Sequence, residues 1–157
     1  MFRAMRRKKR EISEEAAKEL LFQEKRAVLA MNGDDGYPYA IPVNYFYDRE
    51  QEKIYFHGSK AGHKVDALKK SDKVCFTVYG NEQKKEDWAP YLQSTVVFGR
   101  CHLLEGRELT EEKVRELAKK YYPNEEEIEA EIAKDIMGVQ LYEISIEHLS
   151  GKQIHEK

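Results

Sequence analysis

The residues best suited to chemistry lie together in segment 56–64, which reads Phe-His-Gly-Ser-Lys-Ala-Gly-His-Lys. The segment joins an apolar strand pattern to a helix pattern. Ser59 is placed to cap a helix running from Lys60 to Lys70, and Lys60 and Lys64 add positive charge beside the unpaired N–H groups of its first turn. Because a helix N-terminus attracts anions, the segment predicts a phosphate-binding corner. An ordinary capped surface helix would use the same residues, so that alternative stays open.

The strand pattern at residues 39–47 carries two residues that a half-buried strand usually avoids. One face of this strand is Tyr39, Ile41, Val43, Tyr45 and Tyr47. On the other face, Pro42 cannot donate to a neighbouring strand, and the amide of Asn44 needs several hydrogen-bond partners. A planar heterocycle would supply those partners, whereas an edge strand with Asn44 in solvent would need no ligand.

Length and charge favour one domain, residues 1–157, that does not bind nucleic acid. A chain of 157 residues can bury a core but has little room for a second one. Lys and Arg number 27 and Asp and Glu number 29, so the chain has no overall positive charge to attract a polyanion. The N-terminal arm, residues 1–12, is basic but is followed at once by acidic residues. It is expected to be solvated or to tie a dimer together.

The spacing of cysteines and histidines predicts no metal centre. Cys75 and Cys101 lie in apolar strand patterns and are expected to be reduced core residues. The five histidines show none of the usual metal-ligand spacings. No apolar run is long enough to span a bilayer, and the basic start lacks the apolar stretch of a signal peptide, which predicts a cytoplasmic protein without a membrane partner.

Hydrophobic periodicity predicts a mainly β protein with flanking helices. A helix from Glu14 to Glu24 is expected after the cap residue Ser13. Two further helices, beginning at Thr110 and Asn124, would form an insertion at about 110–136. Six strands are expected at 26–32, 37–47, 53–57, 73–79, 92–104 and 139–146. Because strands and helices do not alternate as in a βαβ fold, a six-stranded antiparallel barrel, closed or split, is favoured.

Several of these segments resemble a known family. They are Leu-Ala-Met-Asn-Gly at 29–33, Tyr-Pro-Tyr-Ala-Ile-Pro-Val-Asn-Tyr at 37–45, Ile-Tyr-Phe-His-Gly at 54–58 and Gly-His-Lys at 62–64, with further likeness in 5–12 and 91–100. Together they are similar to the FMN-binding split-barrel proteins related to pyridoxamine 5'-phosphate oxidase, and most similar to the nitroimidazole-resistance type. The resemblance runs from about Met5 to Arg100.

The resemblance implies a homodimer with two FMN sites at the subunit interface, each built from both chains. Val43 and Asn44 would lie along the isoalloxazine ring. The phosphate and ribityl chain would be held by His57, Gly58, Ser59, Lys60, His63 and Lys64. The partner subunit would close the other side of the ring with Tyr91, Ser94 and Phe98.

The function implied by the resemblance is that of an FMN-dependent oxidoreductase, similar to a nitroimidazole reductase. Electrons from a reduced donor would pass through the flavin to a small electrophilic acceptor. His63 would be the catalytic residue, since imidazole exchanges protons near neutral pH, although it could instead contact only the phosphate or solvent. Pyridoxamine 5'-phosphate oxidase activity itself is disfavoured, because the chain has no arginine near its C-terminal end. The alternative is a non-enzymatic flavin- or haem-binding protein, with His57, His63 or His148 as the haem ligand.

Overall fold

The computed structural model describes all 157 residues, which form eight strands and four α-helices. The strands are β1 (Glu11–Ile12), β2 (Arg26–Asn32), β3 (Pro38–Asn44), β4 (Phe46–Asp48), β5 (Lys53–Ser59), β6 (Lys73–Gln83), β7 (Tyr91–Leu104) and β8 (Val139–His155). The helices are α1 (Glu14–Gln23), α2 (His63–Lys70), α3 (Arg107–Tyr121) and α4 (Glu125–Asp135). None of these helices combines the length and the apolar character needed to cross a bilayer.

All strand pairs are antiparallel and form one curled sheet in the order β3-β2-β6-β7-β8-β5-β4, with the short β1 paired to β8. This confirms the prediction of a mainly β split barrel with flanking helices. The count rises from six strands to eight for two reasons. The arm contributes β1, and the predicted second strand is divided at Tyr45 into β3 and β4.

The division at Tyr45 places β3 and β4 on opposite ends of the sheet. Tyr45 is fully buried, and its backbone N–H donates to the Tyr121 hydroxyl at 2.9 Å instead of to a neighbouring strand. Its own hydroxyl donates to the Leu21 carbonyl at 2.6 Å. β3 therefore pairs with β2, while β4 pairs with β5. The gap between the two ends of the sheet is the split in the barrel.

Helix α1 closes one end of the core. The Ser13 hydroxyl accepts from the backbone N–H of Ala16 at 3.1 Å, which confirms the predicted cap. Leu20 and Leu21 are buried in the main core, and burial of a leucine contributes about 1.5–3 kcal/mol. The helix lies close to β8 at Gly151, where a Cβ would come within 2.6 Å of the Ala17 Cβ. Only glycine allows this approach.

Helices α3 and α4 form a hairpin outside the main core, between β7 and β8. They pack on a second small cluster of Ala118, Ile128, Ile132 and Ile136. Asn124 caps α4 as predicted, with its Oδ1 accepting from the N–H of Glu127 at 2.9 Å. The predicted start of α3 at Thr110 is wrong. The helix begins at Arg107, after Gly106 with φ of 110°, and the Thr110 hydroxyl donates back to the Gly106 carbonyl within the first turn.

Candidate functional site

The turn between β5 and α2 is built differently from the sequence expectation. Helix α2 begins at His63, and its N-cap is Gly62, whose φ of 132° favours glycine. The prediction that Ser59 caps the helix is wrong, because Ser59 is still part of β5 and its hydroxyl donates to the Ala61 carbonyl at 2.7 Å. The first turn of α2 keeps its unpaired N–H groups, now three residues further along the chain.

Lys64 supplies a cation to this corner. Its ammonium lies over the Tyr142 ring, 5.0 Å from the centroid, and against Gly58, where a Cβ would come within 2.7 Å of Nζ. No carboxylate lies within 4.0 Å of it. Burial lowers the pKa of Lys64, and Cys101 opposes that shift. A partly desolvated cation with no counter-ion, in a cradle that a side chain at position 58 would fill, fits an anionic ligand.

His63 points away from Lys64, towards the turn between β2 and β3. Its imidazole stacks on the Tyr39 ring with centroids 4.0 Å apart, and its Nε2 lies 3.7 Å from Oδ2 of Asp34. The His63 side chain is 41% exposed to solvent. It is thus oriented by two contacts and still open to a small molecule.

His57 lies on the opposite face of β5 from the Lys64 ammonium. Phe56 and Gly58 face the barrel interior, so the alternation of the strand turns His57 outward, under the α3–α4 hairpin. There it borders a cavity of about 350 Å³. Burial, and then the charge of Lys64, lower the pKa of His57. Lys60 is exposed and borders a smaller depression beside Arg107. The residues predicted to hold the phosphate therefore do not all lie on the same side of β5.

The two residues assigned to the isoalloxazine ring also lie on different faces. β3 is an edge strand; Val43 packs against the main core, and Asn44 is exposed on the outer side. The outer face of β3 continues onto β2, β6 and β7. Pro42 of β3 pairs with Val28 of β2, Val28 pairs with Thr77 of β6, and Thr77 pairs with Val96 of β7.

Tyr91, Ser94 and Phe98 lie on β7, in the middle of the sheet, and the chain does not bring them to the corner. Phe98 is 39% exposed and stacks on Phe2 of the arm at 5.4 Å. The Tyr91 ring is held parallel to the imidazole of His155 at 4.3 Å.

Sequence reasoning missed two features of the site. The first is the apolar outer face of the sheet, where Val28, Tyr79 and Phe98 are 44, 67 and 39% exposed. Its signal is present in the sequence, since β2, β6 and β7 carry apolar residues on both faces. The second is the cavity under α3 and α4, which depends on tertiary packing that periodicity does not reveal.

A family model described as pyridoxamine 5'-phosphate oxidase matches residues 13–153. No curated protein sequence matches the chain.

Three solved structures illustrate the similarity of fold. A proposed 5-nitroimidazole antibiotic resistance protein from Bacteroides thetaiotaomicron is 16% identical with a TM-score of 0.75, over 92% of this chain and 87% of that one. An FAD-binding protein from Mesorhizobium loti is 20% identical with a TM-score of 0.66, over 92% and 97%. The FAD and haem binding protein from Mycobacterium smegmatis is 18% identical with a TM-score of 0.70, over 92% and 72%.

Proposed function

The chain belongs to the pyridoxamine 5'-phosphate oxidase family, and from this premise we propose that it is an FMN-dependent oxidoreductase that passes electrons from a reduced donor to a small electrophilic acceptor. The observation that carries the proposal is the unpaired ammonium of Lys64 beside Gly58, at the start of α2. A phosphate monoester carries close to two negative charges at neutral pH, and it would supply the counter-ion that Lys64 lacks.

Different residues would hold different parts of the cofactor. Lys64 and the N–H groups of the first turn of α2 would bind the phosphate, and the missing side chain at Gly58 leaves room for it. The bound flavin would accept and release two electrons, which no side chain of this protein can do. Asn44 would offer its amide to the edge of the ring.

His63 is proposed to supply a proton to the acceptor. Its ring is held by Tyr39 and Asp34, which fixes the imidazole without burying it. A fixed and accessible imidazole suits proton transfer near neutral pH. The nitroimidazole-resistance relative supports a nitroaromatic acceptor as the first compound class to assay.

A homodimer is part of the proposal, with the outer face of the sheet as the interface. Val28, Tyr79 and Phe98 are large, exposed and on one face, and apolar patches of this kind mark association surfaces. A second chain on this face would also bring Ser94 and Phe98 near the other subunit's Asn44, from which two strands separate them within one chain.

The experiment is an absorbance spectrum of the purified protein, repeated after titration with FMN and FAD. Lys64→Met is expected to weaken flavin binding at least tenfold, because a charge-assisted hydrogen bond contributes about 1.5–3 kcal/mol. Lys69→Met, which removes an exposed lysine from the same helix, is the matched control. Equal flavin affinity in both variants would contradict the assignment of the corner.

The catalytic part is tested separately with His63→Ala. Retention of flavin together with a loss of nitroaromatic turnover supports proton transfer by His63. Normal turnover with bound flavin would remove His63 from the mechanism.

A non-enzymatic flavin- or haem-binding protein is the second candidate. The observation in its favour is the Lys64 corner, which would bind a flavin phosphate whether or not a reaction follows. The same spectrum separates the candidates, since haem gives an intense Soret band and flavin absorbs in the blue.

A further inference from the structure

The cavity under the α3–α4 hairpin adjoins the phosphate corner, because His57, Gly58 and Ser59 of β5 border it. It lies on the outer face of β5, whereas Lys64 lies on the inner face beside Gly58. Its volume of about 350 Å³ is within the range of small-molecule sites. A ligand here would contact the hairpin, which Lys64 does not face.

The walls of this cavity are mostly apolar and come from both helices. Leu117 and Ile132 are buried residues whose side chains border the empty space without filling it. Tyr122, at the end of α3, adds an aromatic ring that is 38% exposed. Close packing is the norm for protein interiors, so apolar side chains around an open cavity of this size favour a flat apolar ligand.

The charged groups of the cavity are acidic. Glu131 and Asp135 are one turn apart on α4 and therefore share a face. Neither carboxylate has a cationic side chain within 4.0 Å, and no lysine or arginine lines the cavity. The one basic group is His57, whose pKa is lowered by burial and by Lys64. The cavity therefore repels anions and attracts cations.

We propose that the α3–α4 cavity is a second ligand site, which binds a small aromatic amine in its cationic form. The ring packs between Leu117, Ile132 and Tyr122, and the ammonium group faces Glu131 and Asp135. Phosphorylated and carboxylated ligands are excluded by the same two carboxylates. The site shares Gly58 and Ser59 with the proposed flavin corner, and its preference rests on the residues that α3 and α4 contribute.

The test uses three probes that share one ring and differ in charge: benzylamine, benzyl alcohol and benzoate. Calorimetry on the full-length protein is expected to give affinity in the order benzylamine, benzyl alcohol, benzoate, and the preference for benzylamine should decrease as salt rises. Benzoate binding as tightly as benzylamine, or no binding of benzylamine at millimolar concentration, overturns the proposal.

Variants locate the site. Because an exposed ion pair contributes about 1.4- to 5-fold, the double variant Glu131→Gln, Asp135→Asn is expected to weaken benzylamine by about 2- to 25-fold and leave benzyl alcohol unchanged. Glu126→Gln, an exposed acid of the same helix outside the cavity, is the control. Equal benzylamine affinity in the double variant and the control overturns the assignment. Flavin absorbance of the double variant, measured in parallel, shows that a failure here is separate from a failure at Lys64.

Discussion

Gly58→Ala perturbs the corner at one atom and leaves the rest of the protein in place. The new Cβ would lie 2.7 Å from Nζ of Lys64, 3.4 Å from its Cε and 3.5 Å from Cε2 of Tyr142. Only the first of these contacts is impossible, and it involves the end of a flexible side chain. The ammonium is therefore expected to move out of the cradle, while Tyr142 and β5 stay where they are.

Gly58→Ala is expected to change the affinity for FMN much more than the free energy of unfolding. Loss of one charge-assisted hydrogen bond to phosphate costs about 1.5–3 kcal/mol, which corresponds to roughly a 12- to 140-fold weaker Kd for FMN. The free energy of unfolding should change by less than about 1 kcal/mol, since alanine restricts the unfolded chain and offsets the local repacking. Fluorescence titration with FMN and urea denaturation measure the two quantities.

A double-mutant cycle tests whether Gly58→Ala acts on FMN binding through Lys64. If the added methyl group acts by displacing Lys64, then Gly58→Ala has no further effect on FMN affinity in a Lys64→Met background. Gly138→Ala, where a Cβ meets nothing within 4 Å, is the control for an added methyl group. Additive effects of the two substitutions, or an unchanged Kd in Gly58→Ala, would refute the role of the cradle.

Three further outcomes are expected. Asn124→Ala removes the cap of α4 and should lower the free energy of unfolding by about 1 kcal/mol in urea, whereas Asn124→Asp should restore it. Burial lowers the pKa of Lys120 to about 8, so between pH 8 and 10.5 the unfolded chain holds a proton that the folded one has lost. The contribution of Lys120 to stability should therefore rise with pH across that window, and the difference in free energy of unfolding between the wild type and Lys120→Met should change by that contribution in denaturation curves. Val28→Lys should shift sedimentation from dimer to monomer, and a dimer that survives it would exclude the outer face as the interface.

Elements defined by neighbouring residues were predictable from the sequence. The bounds of β2 and the caps Ser13 and Asn124 agree with expectation, because alternation and capping act over a few residues. The break at Tyr45 was not predictable, since its N–H is satisfied by Tyr121, 76 positions away. Likewise β8 continues to His155, well past the predicted end at Ile146. It does so because β7 pairs along its whole length, which the polar residues of β8 do not predict.

The candidate site was predictable in part for the same reason. Lys64 and the start of α2 form a corner, although Gly62 takes the place given to Ser59. The separation of His57 from Lys64 could have been read from the alternation of β5. The α3–α4 cavity could not, because its walls meet only when two helices fold back over a strand.

The register of β7 and β8 allows part of the α3–α4 hairpin to vary without changing the sheet. Leu104, the last residue of β7, pairs with Leu141, so the chain leaves the sheet and returns to it at adjacent positions. The sheet would keep every one of these pairs if the intervening segment were longer, shorter or different, since the cost of closing a loop grows slowly with its length. Helix α3 has to be kept, because its Tyr121 hydroxyl accepts from the buried N–H of Tyr45. Helix α4, which carries Glu131 and Asp135, is the natural segment to exchange when a new ligand preference is to be engineered.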